Sequence, residues 1–407
     1  MKIDIRRLKK SLLRLAQIGA VPRGGVSRLA LSDEDKQARA LLVGWMKESG
    51  LKVNVDQMGN IFGRRSSSRK DLPPLLIGSH IDTVRNGGKF DGALGVMAGL
   101  EVVRTLNDEA VSTKHPIELA AFTNEEGARF QPPMLASGVM AGIFPLEWAY
   151  SRNDVNGLIF GQELKRIGYR GSVRCRPRPL HAYLEFHIEQ GPVLEAEKVP
   201  IGIVQGIVGL RWLRVTLEGE SDHAGPTPMS MRRDALVAAA RAVEMVRGIP
   251  RRMKGEMVTT VGFMQVQPNV VNVIPGKVTF TVDLRDRYEK RTERAIGMVK
   301  AGIKTIALQE GVKASFEEIF KSSPFLFSKE VVDTIAQVCK SFQWPYRMLM
   351  SGAGHDALYM AQRTKGGMIF VPSLKGKSHC REERSSWRDI EKGANLLLHS
   401  TLAIDAQ

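Results

Sequence analysis

The sequence of 407 residues has few cysteines and no long apolar run. Its three cysteines, Cys175, Cys339 and Cys380, are scattered and show no C-x-x-C spacing. This set argues against a disulfide framework and indicates a reducing compartment, which we expect to be the cytoplasm. No apolar run approaches the roughly 20 residues that a transmembrane helix needs, so we expect no membrane-spanning segment.

The first 20 residues, MKIDIRRLKKSLLRLAQIGA, are basic and lack the continuous apolar stretch of a secretory signal. Ile5, Leu8, Leu12 and Leu15 recur at helical spacing. The pattern predicts an amphipathic first helix of the folded protein. A transit peptide or a helix lying on a membrane surface is the alternative.

Acidic residues are the minority charge. The 59 Lys and Arg residues exceed the 43 Asp and Glu residues and leave a net charge of +16. Such an excess of positive charge is a feature of proteins that bind nucleic acid. However, the basic residues are spread along the chain, and the short clusters at 174–179 and 251–254 have no interleaved aromatic residues. We therefore expect no nucleic-acid binding; a steeply salt-dependent affinity for DNA would indicate the opposite.

The chain is long enough for two domains. Apolar strand-like stretches at 72–83, 117–123 and 182–191 each end in polar residues, and helical patterns separate them. This order predicts an α/β sheet with a site at the carboxyl ends of its strands.

The pattern of apolar and polar residues changes near residue 212. Alternating strand patterns and two helical patterns follow in the order β-α-β-β-α-β, which is the split βαβ arrangement of a small ferredoxin-like domain. We expect residues 212–327 to form this domain, inserted into a catalytic domain made of residues 1–211 and 328–407.

Histidines and carboxylates collect at the predicted strand ends. Imidazole and carboxylate ligands without a cysteine pattern suit zinc or a similar divalent ion, and two ions would need a bridging carboxylate. Taken singly, each residue is a weak signal, and His115 and His181 receive no functional role. The residues of the combined set are His80, Asp82, Asp91, Glu125, Glu126, His187 and His379.

With these motifs in this order, the sequence resembles the dinuclear-zinc aminoacylase and carboxypeptidase superfamily, specifically its amidase, hydantoinase and carbamoylase branch. The resemblance covers essentially the whole chain. It implies a zinc-peptidase-like catalytic domain with a mixed sheet and an inserted ferredoxin-like domain that acts as lid and forms a homodimer. The motifs that carry it include GGVSRLALSDED (24–35), DQMGNIFGR (56–64), GSHIDT, TNEEG, HIEQGP and GKSHC.

The resemblance also implies a role for each residue of the set. Asp91 would bridge two metal ions, and Asp82 would orient the imidazole of His80. Glu125 would be the general base that passes a proton to the leaving nitrogen. The remaining metal ligands would be His80, Glu126, His187 and His379.

The inserted domain would complete the site. By resemblance, His223 reaches the partner's active site and stabilises the oxyanion, while Asn272 and Arg285 hold the substrate carboxylate. Gln190, Gly352 and Gly354 would line the substrate, and His355 and Asp356 would lie behind them.

The leading functional hypothesis is hydrolysis of an N-carbamoyl-L-amino acid to the amino acid, ammonia and carbon dioxide. Allantoate amidohydrolase and β-ureidopropionase activities are the alternatives, and a catalytically dead binding protein is disfavoured because no ligand is missing. Zinc is the expected metal, with manganese, nickel or cobalt as alternatives. Cys380 and Arg85 depart from the family's usual residues beside the site and bear on substrate preference.

Overall fold

A computed structural model describes all residues, 1–407. The chain divides into two compact units, the first made of Met1–Gly206 and Leu326–Gln407 and the second of Ile207–Phe325. The second unit thus begins and ends a few residues before the predicted bounds of 212 and 327. That the second unit acts as a lid and a dimerisation domain stays a prediction.

The chain folds into fifteen strands and twelve α-helices. The strands are β1 Lys52–Val55, β2 Ile61–Arg65, β3 Leu75–His80, β4 Ile117–Phe122, β5 Ala182–Ile188, β6 Ile201–Ile207, β7 Gly209–Glu218, β8 Asp222–His223, β9 Val258–Gln267, β10 Val273–Ile274, β11 Lys277–Asp286, β12 Lys313–Ser322, β13 Phe325–Leu326, β14 Tyr346–Ser351 and β15 Lys365–Val371. The helices are α1 Ile5–Leu15, α2 Asp33–Glu48, α3 Ala93–Asp108, α4 Leu135–Met140, α5 Leu146–Tyr150, α6 Phe160–Arg166, α7 Val193–Ala196, α8 Ala235–Met253, α9 Glu289–Gln309, α10 Lys329–Ser341, α11 Ala357–Met360 and α12 Trp387–Asp405.

A nine-stranded mixed sheet forms the centre of the first unit. Its order is β1-β2-β4-β3-β5-β15-β6-β13, and β14 pairs with β6. The central strands β4, β3, β5 and β15 are parallel, whereas β2 and β6 join antiparallel. Strands β3, β4 and β5 are buried along their whole length, as expected for parallel strands covered by helices on both faces. The predicted fold class is confirmed.

The basic N-terminal segment is a helix of this unit. Leu8, Leu12 and Leu15 are fully buried on one face of α1, and Asp4 caps its first turn by accepting the N–H groups of Arg6 and Arg7. This confirms the prediction of an amphipathic first helix. None of the helices combines the length and apolar character that crossing a bilayer requires.

The second unit is an antiparallel sheet with two helices. The strand order is β12-β7-β11-β9, and α8 and α9 supply the apolar faces that cover it. Leu213, Val215 and Leu217 alternate on the buried face of β7, which is the period of two that a half-exposed strand requires. Apart from the two-residue strands β8 and β10, which pair with each other, the element order is the predicted β-α-β-β-α-β arrangement.

Candidate metal and active site

The site of the first unit forms where parallel strands end. His80 is the last residue of β3, His187 lies near the end of β5, and Glu125 and Glu126 follow β4. Because these three strands are parallel neighbours, their carboxyl ends meet at one edge of the sheet. Asp91 lies in the loop between β3 and α3.

Asp91 is the centre of the cluster. Its Oδ1 lies 3.1 Å from His187 Nε2 and 3.6 Å from His80 Nε2, and its Oδ2 lies 3.1 Å from His379 Nε2. His379 Nε2 is also 3.3 Å from Glu126 Oε2. Two groups of possible metal ligands therefore share Asp91, one with His80 and His187 and the other with Glu126 and His379.

Backbone carbonyl groups orient two of the imidazoles. The carbonyl oxygen of Asp82 accepts from His80 Nδ1 at 3.0 Å, and the carbonyl oxygen of Ile188 accepts from His187 Nδ1 at 2.9 Å. With the proton on Nδ1, the lone pair of Nε2 points at Asp91, which is the state in which histidine binds a metal.

The charges of the cluster fit divalent ions. Burial and the nearby Asp91 carboxylate raise the pKa of Glu126 to about 8, and Glu126 Oε1 is buried with no hydrogen-bond partner. Buried carboxylates of this kind are stable as charged groups only beside a cation. The shared Asp91, the oriented imidazoles and the unpartnered oxygen together suit two metal ions.

A glycine lets the bridging segment approach His80. Gly92 has φ +61°, and a Cβ atom there would lie 2.3 Å from His80 Nε2. Any side chain at position 92 would therefore displace the imidazole from Asp91.

Glu125 lies beside the cluster without belonging to either ligand group. Its Oε2 is 3.4 Å from His80 Nε2, and the residue is buried. Burial raises the pKa of Glu125 well above its ordinary value, opposed by His80 and reinforced by Asp356 and Glu126. A buried carboxyl group with a raised pKa is suited to take up a proton during the reaction.

Asp82 occupies the expected place but makes different contacts. Its carboxylate Oδ1 is 3.9 Å from His80 Nδ1, beyond hydrogen-bond distance, and the backbone carbonyl orients the imidazole instead. The two carboxylate oxygens accept the N–H groups of Glu125 and Glu126, each at 3.3 Å. Asp82 thus positions the acidic pair.

Of the predicted substrate-lining residues, Gln190 contacts this cluster directly. Gln190 Nε2 donates to Asp91 Oδ2 at 2.8 Å and lies 3.3 Å from His379 Nε2. Gly352 and Gly354 lie in the loop between β14 and α11. The same loop carries His355, whose ring contacts the ring of His187 with centroids 4.5 Å apart.

The three predicted residues of the second unit do not form one group. His223, on β8, pairs opposite Val273, and Ala224 N–H donates to the carbonyl of Asn272 at 2.9 Å. Arg285 lies eight residues beyond Lys277, the first residue of β11, and forms an ion pair with Asp283 at 2.7 Å. At about 3.3 Å per residue, roughly 26 Å of strand separates Lys277 from Arg285.

Sequence reasoning missed Glu383 and Ser378. Glu383 Oε1 accepts the N–H groups of Phe90 and Asp91 at 2.9 and 3.1 Å, and Ser378 Oγ lies 3.1 Å from Asp91 Oδ2. A Cβ atom at Gly88 would lie 1.8 Å from Glu383 Oε1, so only glycine leaves room for this contact. The sequence around Glu383 and Ser378 gave no signal of these contacts.

Glu185 was missed as well. It is fully buried, and its carboxylate accepts hydrogen bonds from Ser79 Oγ at 2.8 Å, Tyr183 Oη at 2.9 Å and the N–H of Ala357 at 3.0 Å. Glu185 thereby ties together β3, β5 and the start of α11. Its place two residues before His187, on the same side of β5, was the only hint in the sequence.

Known proteins share this architecture. A family model described as peptidase family M20/M25/M40 matches residues 76–403. An N-carbamoyl-L-amino-acid amidohydrolase of Rhizobium meliloti is 44% identical over 98% of this chain and 96% of its own length. An allantoate amidohydrolase of Bacillus subtilis is 35% identical over 94% of this chain and 93% of its own length.

A solved structure shows the same likeness. The crystal structure of an amidase of the hydantoinase/carbamoylase family from Burkholderia multivorans is 48% identical and superposes with a TM-score of 0.96, covering 100% of this chain and 99% of that one. These matches confirm the resemblance that the motifs indicated. The chain belongs to the peptidase family M20/M25/M40.

Proposed function

We propose that this protein is a metal-dependent amidohydrolase that cleaves the ureido C–N bond of N-carbamoyl-L-amino acids and releases the amino acid, ammonia and carbon dioxide. The observation that carries the proposal is the pairing of two ligand groups around Asp91 with a buried carboxyl group, Glu125, that belongs to neither. The likeness to an N-carbamoyl-L-amino-acid amidohydrolase over nearly the whole chain supports it.

The ligands are His80, Asp91, Glu126, His187 and His379, with Asp91 shared. Two divalent ions bound there would polarise the scissile carbonyl group and the attacking water. Imidazole nitrogens with carboxylate oxygens favour zinc, and manganese, nickel or cobalt are the alternatives.

Glu125 is the proton carrier. As a carboxylate it accepts a proton from the attacking water, and as a carboxylic acid it donates that proton to the nitrogen that leaves. Asp82 holds the backbone N–H groups of Glu125 and Glu126, so the base and its neighbouring ligand keep a fixed spacing. His223 donates to the oxyanion that forms at the attacked carbon.

The substrate carboxylate is held by Arg285 and Asn272. A guanidinium offers two parallel donors to a carboxylate, and an amide adds a third. Since a long stretch of β11 separates these residues within one chain, a single small carboxylate can contact both only if one of them comes from a second copy of the chain.

A homodimer through the second unit supplies that second copy. Strand β9 is an edge of the four-stranded sheet, and Val258, Phe263 and Met264 on it are exposed. An exposed edge strand with apolar side chains can pair with its twin to give a two-fold interface.

A second candidate substrate is allantoate. Allantoate, like a carbamoyl-amino acid, presents a ureido group and a carboxylate, and the likeness to an allantoate amidohydrolase supports it as the second candidate. A β-ureidopropionase activity follows from the same chemistry.

The three cysteines are free thiols, which supports a reducing compartment such as the cytoplasm.

Steady-state assays test the function directly. The protein is stripped with a chelator, reloaded with zinc, manganese, nickel or cobalt, and assayed with N-carbamoyl-L-amino acids, allantoate and N-carbamoyl-β-alanine. We expect the stripped protein to be inactive and the reloaded protein to have its highest kcat/KM on a carbamoyl-L-amino acid. Full activity after exhaustive stripping, or a preference for allantoate, would contradict the proposal.

A further inference from the structure

A second cavity lies far from the metal ligands. It lies between α1 and the carboxyl-terminal ends of α2 and α3, is open to solvent, and has a volume of about 1030 Å³. Asp91 lies just before the first residue of α3, whereas Arg104 and Asp108 line the cavity from the last turns of the same helix. At 1.5 Å per residue, roughly 20 Å of helix separates the two places.

Three cations of the cavity, Lys10, Arg14 and Arg104, form no ion pair. Arg104 is half-buried, and its guanidinium donates only to Ser49 Oγ at 3.2 Å and Ser11 Oγ at 3.0 Å. Burial lowers the pKa of Arg104, and the nearby carboxylates of Glu101, Glu48 and Asp108 oppose this shift without forming an ion pair with it. Lys10 and Arg14 line the rim and form no ion pair.

The acidic side chains of the cavity offset only part of this charge. Asp108 is engaged by Arg7 at 2.8 Å, and Arg7 also pairs with Glu101. Glu48 is the one remaining carboxylate on the walls. Lys10, Arg14 and Arg104 outnumber Glu48 by two, and the two carboxylates that share Arg7 offset one of these charges, so the surplus is about one positive charge.

The cavity also presents an aromatic wall. Trp45 is half-buried, lines the cavity and stacks on no other aromatic ring or cation. An indole with a free face favours a planar ligand group, and the volume suits a small organic molecule better than a lone inorganic ion.

We propose that this cavity is a binding site for a planar organic anion, with Arg104 and Lys10 contacting the anionic groups and Trp45 contacting the ring. The site is separate from the proposed catalysis and does not depend on it. The anionic groups can be phosphate or carboxylate oxygens, since guanidinium and ammonium groups bind both.

Calorimetric titration of the metal-loaded protein tests the site. The probes are AMP, which joins a ring to a phosphate, phthalate, which joins a ring to two carboxylates, and inorganic phosphate, which has no ring. We expect AMP or phthalate to bind once per chain with a Kd below about 1 mM and inorganic phosphate to bind at least roughly tenfold more weakly. The stronger of the two ring probes identifies the anionic group.

Variants separate this cavity from the metal ligands, which also attract anions. Lys10→Gln alters an exposed side chain and leaves the fold intact, and Arg104→Gln keeps a polar group for the two serines. We expect each to weaken binding at least roughly fivefold, and Trp45→Leu to remove the advantage of the ring probes. Arg294→Gln removes the same charge from an exposed, unpaired position of α9 and is the matched control.

Three results would overturn the proposal. The first is no binding of either ring probe at about 5 mM, which is weaker than any specific site of this size requires. The second is equal binding by the parent protein, Lys10→Gln and Arg104→Gln, which would place the anion elsewhere. The third is equal affinity for inorganic phosphate and the ring probes.

Discussion

Asp82 holds the backbone of Glu125: its Oδ1 accepts the Glu125 N–H at 3.3 Å, while its Oδ2 accepts the next N–H along the chain, that of Glu126. The side chains of all three residues are largely removed from water. One carboxylate thus fixes a proposed base and a proposed ligand together, although its sequence position beside His80 suggested a role toward the imidazole.

The first prediction concerns this bond. In Asp82→Asn, the amide nitrogen must face one of the two N–H groups, so the backbone of Glu125 shifts. We expect kcat to fall about 10–100-fold while the metal content stays unchanged, because the backbone carbonyl that holds His80 remains. Kinetics and elemental analysis of the same preparation measure both. Asp71→Asn, at an exposed carboxylate, is the control, and loss of metal would show that Asp82 acts through His80 after all.

The second prediction separates catalysis from metal binding. Glu125→Gln preserves shape but cannot carry a proton, so we expect bound metal to be retained and kcat to fall by about 10²–10⁴. His187→Ala should lose metal as well as activity. Glu382→Gln changes an exposed glutamate of similar size and serves as the control. Near-normal turnover by Glu125→Gln would assign the base to another residue.

The third prediction is complementation through His223. A hybrid dimer of one Glu125→Gln chain and one His223→Ala chain has one site with an intact Glu125, and that site receives the intact His223 of the other chain. We expect the hybrid dimer to have about half the activity of the parent dimer, since one of two sites works, and an equimolar mixture after random exchange to recover about a quarter, since about half of its dimers are hybrids. Mixing two Glu125→Gln preparations should restore nothing. An active monomer would refute a role for His223 across the dimer.

The fourth prediction tests whether Asn272 and Arg285 meet from two chains. Each of Asn272→Ala and Arg285→Ala should raise KM strongly as a homodimer, because each removes a carboxylate contact. If one site draws these residues from different chains, their hybrid contains one intact site and recovers activity, whichever residue the partner supplies. If both act from the same chain, every site of the hybrid is defective, and mixing has no effect.

The fifth prediction concerns Asp56 and stability. Burial raises the pKa of Asp56 to about 6, against hydrogen bonds from Asn60 and Met58 that oppose the shift. Because the folded-state pKa lies above the unfolded-state value, the contribution of Asp56 to the free energy of unfolding is fully present below about pH 4. This contribution is lost as the pH rises through 6. The loss is about 3 kcal/mol for a group shifted this far.

Urea unfolding between pH 4 and pH 7 measures this effect in the parent protein and in Asp56→Asn. The difference between the two curves removes the contribution of other groups, and we expect it to change across pH 4–6 in the direction that favours the variant at higher pH. A difference that is independent of pH would show that Asp56 is ionised without cost.

The local sequence was sufficient to predict the secondary-structure elements and the polar residues at their ends. The apolar runs before His80, Glu125 and His187 predicted buried parallel strands, and parallel strands bring their carboxyl ends to one edge of a sheet. The change to alternating residues near position 212 predicted the second unit, because the period of side chains along a strand depends only on its own backbone.

Tertiary structure alone decided which atoms meet. Glu383 reaches the backbone of Asp91 from 292 residues away, and nothing near either residue in the chain records that contact. The separation of Asn272 from Arg285 follows from the length and direction of β11, although motif order places them together. Periodicity is a property of neighbouring residues, whereas a hydrogen bond requires an angle and a distance that only the packed elements determine.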